Sequence, residues 1–75
     1  MESLQLVPKE GIRERKKRLT HERICDVASK LFVEQGYSNT TIDAIAALAD
    51  ISKPTFFNYF ASKLAVLHEI IDIMD

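Results

Sequence analysis

The sequence predicts an all-α fold, a bundle of three helices and the start of a fourth, on three observations. Apolar residues recur three and four positions apart through four separate segments. Each segment follows a Ser or Thr able to cap it. The two Gly and two Pro in 75 residues all fall outside the periodic stretches or in a first turn. This length allows one domain with one small core, and a hydrophobic content of 47% excludes a disordered tail.

Residues 1–11 contain Pro8 and Gly11 and no period, so they read as a flexible leader. The first helix carries Ile24, Val27, Ala28, Leu31 and Phe32 on one stripe, with Val33 an exposed misfit. Thr20 is its expected N-cap, with Glu22 favouring the positive end of the dipole. The basic block at 13–18 leaves open an extension back to Ile12. Gly36 supplies a left-handed stop, and Tyr37 folds back onto Phe32. After Ser38-Asn39-Thr40-Thr41, a two-turn second helix buries Ile42, Ile45, Ala46 and Ala49 and leaves Leu48 aside. Asp50 tolerates a left-handed turn, Ile51 points inward and Ser52 caps the third helix. Pro54 fits that helix's first turn, where a missing N–H costs nothing. Phe56 and Phe60 form its buried side, Phe57 its border, and Thr55 and Asn58 its outer side. Ser62 caps a fourth helix with Leu64, Leu67, Ile70, Ile71 and Met74 on one stripe and Val66 and Ile73 nearly opposite. A helix apolar on both sides is expected to be covered on both, which implies a continuing chain or a second copy.

Ten Lys and Arg against eleven Asp and Glu give a net charge of −1, a balance that hides two unlike parts. From Lys9 to Arg23 seven basic residues face three acids; from Ile24 onward three Lys face seven acids. The block Arg13-Glu14-Arg15-Lys16-Lys17-Arg18 suits phosphates, anionic lipid or an acidic partner. Cys25 stands alone, which rules out an internal disulfide, and reads as an inert small residue of the first stripe. His21 and His68 read as surface residues, and no metal-ligand set, cofactor loop or catalytic constellation is present, so an enzyme is not expected. No apolar run reaches membrane-span length and no secretory signal opens the chain.

Two short helices joined by a tight turn, at about 41–60, have the layout of a helix-turn-helix, although small helical bundles share such turns. Leu31-Phe32, Gly36-Tyr37, Thr40-Thr41, Ile45-Ala46, Ile51-Ser52-Lys53, Thr55, Tyr59-Phe60 and Ser62-Lys63 stand together in register across about residues 18–75. In these signposts the chain resembles the N-terminal domain of TetR-family transcriptional regulators. The resemblance implies a three-helix helix-turn-helix (homeodomain-like) bundle over 12–75, with the start of a fourth, linking helix. It further implies a homodimer, in a full-length parent, on a palindromic double-stranded DNA operator. There a C-terminal ligand-binding and dimerisation domain, absent from these 75 residues, would release a repressor from DNA when a small-molecule inducer binds. The implied location is the bacterial cytoplasm, at the nucleoid, with no cofactor and no membrane.

Carried over by position, the resemblance puts Lys53, Pro54 and Phe57 where base edges or sugars are touched. Thr55, Asn58 and Tyr59 fall where phosphates are touched, and the Asn58 amide also suits adenine. Thr41 and Lys63 match backbone-contact positions at helix starts. Phe57 replaces a frequent Tyr, losing a phenolic hydrogen bond. Asp43 stands where some relatives carry a base-reading Arg; an acid there repels phosphate and accepts at best from cytosine. Leu64 and Asp50 depart from the frequent Glu and Gly, which bears on capping. By charge alone, Arg13, Arg15, Lys16, Lys17 and Arg18 form a possible DNA-contacting arm that follows the backbone or enters the minor groove. The alternative reading is a small helical protein-interaction module whose basic arm docks an acidic partner.

Overall fold

The computed structural model describes residues 11–74, with side chains described as far as Asp72; of the predicted leader, all but Gly11 lies outside the described residues. Among the described residues the chain forms four helices and no strand. They are α1 (Ile12–Gln35), α2 (Ile42–Leu48), α3 (Lys53–Tyr59) and α4 (Lys63–Met74). The α1 helix packs against α2 and α4, and α2 against α3.

The basic block is helical, and α1 starts at Ile12, eight residues before Thr20. Arg, Lys, Glu and Leu are all strong helix formers, and the Glu14 carboxylate accepts from the Gly11 N–H at 2.6 Å. Thr20 therefore lies inside the helix, spanned by the Arg18–Glu22 pair at 3.4 Å. The expected cap is displaced upstream, and the extension back to Ile12 that the sequence leaves open makes the basic block part of one helical rod. At 1.5 Å per residue the whole helix is about 36 Å long.

The other end of α1 stops at Gly36, whose φ of 91° is positive as expected. Its ψ of 149° departs from a left-handed helical stop. Side chains, rather than a backbone loop, satisfy the last carbonyls: Asn39 Nδ2 donates to Gln35 O at 2.9 Å and Thr40 Oγ1 to Gly36 O at 2.8 Å. Tyr37 folds onto Phe32 with ring centroids 5.1 Å apart, as the sequence predicts.

The remaining caps are local and match the sequence. Thr41 accepts from Ala44 N–H at 3.0 Å, Ser52 from Thr55 N–H at 3.2 Å, and Ser62 from Ala65 N–H at 3.1 Å. Asp50 takes the left-handed turn between α2 and α3, with φ 63°. The core gathers Ile24, Cys25, Ala28, Ile45, Ala46, Ala49, Phe56, Phe60, Val66 and Ile70. Phe56, Ile24, Ile45 and Val66 are its largest fully buried apolar side chains.

Helix α4 is turned differently from its main apolar stripe. Val66 and Ile70 enter the core, whereas Leu64 and Ile71 stay about half exposed. Lys63, Val66 and Ile70 share a face at spacings of three and four, and Lys63 is tied to the α1–α2 loop, as described below. That tie fixes the rotation of α4 about its axis. Met74 and Ile73, expected on the two stripes, lie outside the described side chains.

His21 is half-buried rather than on the surface. Its ring lies on Phe60 with centroids 4.9 Å apart, and its Nε2 is 3.9 Å from Glu69 Oε2. Cys25 is buried as expected, and burial, followed by the charges of Glu69, Asp26 and Glu22, pushes its thiol from 9.0 up to about 11.

Two outcomes are expected. Gly36→Ala should lower stability in urea melts by about 1–3 kcal/mol through backbone conformation alone, since a Cβ there meets only Asn39 Nδ2 at 3.7 Å. For Cys25 the folded value lies above the unfolded one, so its contribution is complete below pH 9.0 and is lost as pH rises through about 11. The stability advantage of the native chain over Cys25→Ala should therefore shrink between those values; a constant difference would contradict the shifted thiol.

Candidate nucleic-acid interface

The residues singled out for contact lie on the outer ends of α2, α3 and α4, and their local geometry follows from the caps. Ser52 places α3: its hydroxyl accepts from Thr55 N–H and donates to Thr55 Oγ1 at 2.8 Å. Thr55 is therefore half-buried and engaged with its own cap. Lys53 and Pro54, in the first turn, are exposed. Phe56 anchors the helix in the core, and Phe57 stands edge-on to it, 88° between rings and 45% exposed. One turn of α3 thus shows a cation and an aromatic ring outward.

At the C-terminal end of α3, Asn58 is exposed and Tyr59 half-buried. The Asn58 amide makes no hydrogen bond among the described residues. These two side chains form one wall of an open groove of about 320 Å³, whose other wall is Glu14, Lys17, Arg18 and His21 of α1. The structure thus joins two expected sets that are forty residues apart in sequence. Arg13, Arg15 and Lys16 are exposed on α1 but do not line the groove. Arg18 is also held by Glu22.

Lys63 has a partner that sequence reasoning missed. Its ammonium donates to Tyr37 O at 2.7 Å and to Thr40 O at 2.9 Å, and lies 4.2 Å above the centre of the Tyr37 ring. Two of its three N–H groups are therefore committed to the loop that precedes Thr41. Thr41, exposed at the head of α2, is held from below by this contact. Arg23 was likewise invisible as a functional group in the sequence. Its guanidinium reaches Ala49 O at 3.4 Å, at the end of α2 where carbonyls lack helical partners. Neither tie has a local signal, since the partners lie 26 residues away or nearly so.

Asp43, in the first turn of α2, stands 3.4 Å from Lys53 Nζ, both side chains more than half exposed. The acid expected to repel phosphate is thus set beside the cation expected to approach the bases. Among the described residues no group of three or more His, Cys, Asp or Glu side chains could hold a metal ion. No described helix is long and apolar enough to cross a membrane.

Residues 24–70 match the family model for bacterial regulatory proteins, tetR family. The match runs from the first buried residue of α1 to the last buried residue of α4. The chain is 40% identical over 65 residues to the HTH-type transcriptional regulator TcmR of Streptomyces glaucescens, covering 87% of this chain and 29% of that protein. It is 38% identical over 52 residues to the HTH-type transcriptional regulator SrpR of Pseudomonas putida, covering 69% of this chain and 24% of that one. The chain therefore spans less than a third of the length of either relative. No solved structure matches it. With the family model covering more than half of the sequence and four helices arranged as the helix-turn-helix layout requires, the chain belongs to the tetR family of bacterial regulatory proteins.

Proposed function

We propose that the chain is the reading head of a transcriptional regulator that binds double-stranded DNA, two copies engaging the two halves of a palindromic operator. One observation carries the reading: α3 is capped by Ser52, anchored inward by Phe56, and presents Lys53, Phe57 and Asn58 outward from a helix braced by α2. A short helix of this build fits the major groove, with its N-terminal residues toward the base edges. Lys53, Pro54 and Phe57 would meet bases and sugars. Thr41, Thr55, Asn58 and Tyr59 would hold the backbone, with Asn58 also able to pair with adenine. Lys63, with two N–H groups committed to Tyr37 and Thr40, has one left for a phosphate, so its larger role is to hold Thr41 in place.

The basic half of α1 extends the same surface. Lys17 and Arg18 share the groove with Asn58 and Tyr59, so a phosphate strand leaving α3 would run toward them. Arg13, Arg15 and Lys16, on other sides of the rod, would add to the attractive field. A helical rod does not thread a minor groove as an extended arm does, so its cations would follow the backbone from outside. In a longer protein that carries this head, the simplest regulation is repression by occupancy, relieved when a small molecule changes the spacing of two heads. The protein-interaction alternative has the basic rod docking an acidic partner, and it predicts no binding of duplex DNA.

Titrating the chain with labelled duplex at several salt concentrations tests the reading. If about four to six phosphates are neutralised per half-site, log K should fall against log salt with a slope of about −4 to −5. A salt-independent association, or none, would overturn it. Lys53→Ala combined with Asn58→Ala should weaken binding to a selected operator more than to random duplex, by about tenfold or more. Equal losses on both would mean that α3 does not read bases.

A further inference from the structure

The Asp43–Lys53 pair joins the first turn of α2 to the first residue of α3 across the helix-turn-helix. The side chains are 73% and 53% exposed, so neither supports the core. At 3.4 Å the contact is longer than a charge-assisted hydrogen bond, typically about 2.7–2.9 Å, and leaves both partners free to engage other groups. Among the described residues neither side chain has another partner. The pair is also electrically neutral. It adds nothing to the attraction for phosphates, and what it offers a ligand is a pattern: a cluster of donors beside an acceptor.

We infer that Asp43 and Lys53 form one reading unit for a G·C base pair, the Lys53 ammonium donating to guanine O6 and N7 while the Asp43 carboxylate accepts from cytosine N4. The major-groove edge of G·C presents two neighbouring acceptors on guanine and then a donor on cytosine. A three-donor ammonium matches the first two, and a carboxylate matches the third. An A·T pair fits worse, because adenine offers one acceptor followed by a donor that opposes the ammonium. C·G in the reverse orientation places the donor under Lys53 and the acceptors under Asp43. The unit therefore fixes both the base pair and its direction. This inference rests on the DNA-reading proposal above and names a base that proposal leaves open.

Asp43 also sits where an acid complements the helix dipole of α2, so the test must read base preference as well as affinity. Duplexes are selected from a random library with the 75-residue chain, Asp43→Ala and Lys53→Ala under one salt condition, with circular dichroism confirming each fold. The native chain should select a motif containing an oriented G·C pair, and both variants should relax that same position by about tenfold or more. In a second measurement the cytosine of that pair is replaced by N4-methylcytosine. The native chain should lose affinity and Asp43→Ala should not. The inference is overturned if Asp43→Ala shifts affinity for all duplexes alike with the motif unchanged. It also fails if the two variants relax different positions, or if N4-methylation affects both proteins equally. A native chain that selects no motif at all would instead sink the DNA-reading proposal itself.

Discussion

A buried threonine and a lysine ammonium set the geometry on which the other contacts depend. Thr40 is 1% exposed, yet its hydroxyl donates to Gly36 O, its N–H to Tyr37 O, and its carbonyl accepts from Lys63. A buried polar group left unpaired costs about 1–3 kcal/mol, so all three bonds must form together. In forming they bring the end of α1, the head of α2 and the head of α4 to one point. Lys63 then closes the junction by taking the Tyr37 carbonyl as well and stacking over its ring. Everything displayed on α2 and α4 inherits its orientation from this knot. Arg23 makes the second fastening, from the middle of α1 to the tail of α2.

Much of this architecture was legible in the sequence, for a physical reason. Caps and turn residues act over three or four positions, so Thr41, Ser52, Ser62 and the left-handed Asp50 could be read from their neighbours. The buried stripes of α1, α2 and α3 follow from helical period in the same way. The start of α1 was not legible, because Thr20 offers a cap and the upstream residues offer continued helix at comparable strength. Glu14 bonding to Gly11 decided the matter. The face of α4 was hidden for a different reason: both sides are apolar, and the rotation is set by Lys63 gripping a loop 23 to 26 residues away. His21 on Phe60 and Arg23 on Ala49 escaped for the same cause, as contacts between distant segments. Of the candidate interface, the residue types and their helices were readable. That Asp43 meets Lys53, and that Asn58 meets Lys17 across a groove, required the fold.

The charge distribution acquires a shape once the helices are in place. The excess of Arg and Lys lies on the exposed first half of α1, while acids outnumber bases from Ile24 onward. A net charge of −1 therefore describes no local surface. The field felt by a polyanion depends on the near cations, because charges farther than a Debye length of about 8–10 Å are screened.

The exposure of Asp43, Lys53 and Asn58 has a consequence for how such a head can change over generations. Substitutions at exposed sites away from caps and core usually alter stability by no more than about 0.5 kcal/mol. The knot at Thr40 and Lys63, the caps and the buried aromatics hold the fold, and of these three side chains only Asp43 adds to it, as a favourable charge in the first turn of α2. The residues proposed to choose a DNA sequence are thus nearly free to mutate, while those that aim them are not. New sequence preferences can be explored in single steps on an unaltered scaffold, and duplicated copies of the same frame can diverge in target without first risking the fold.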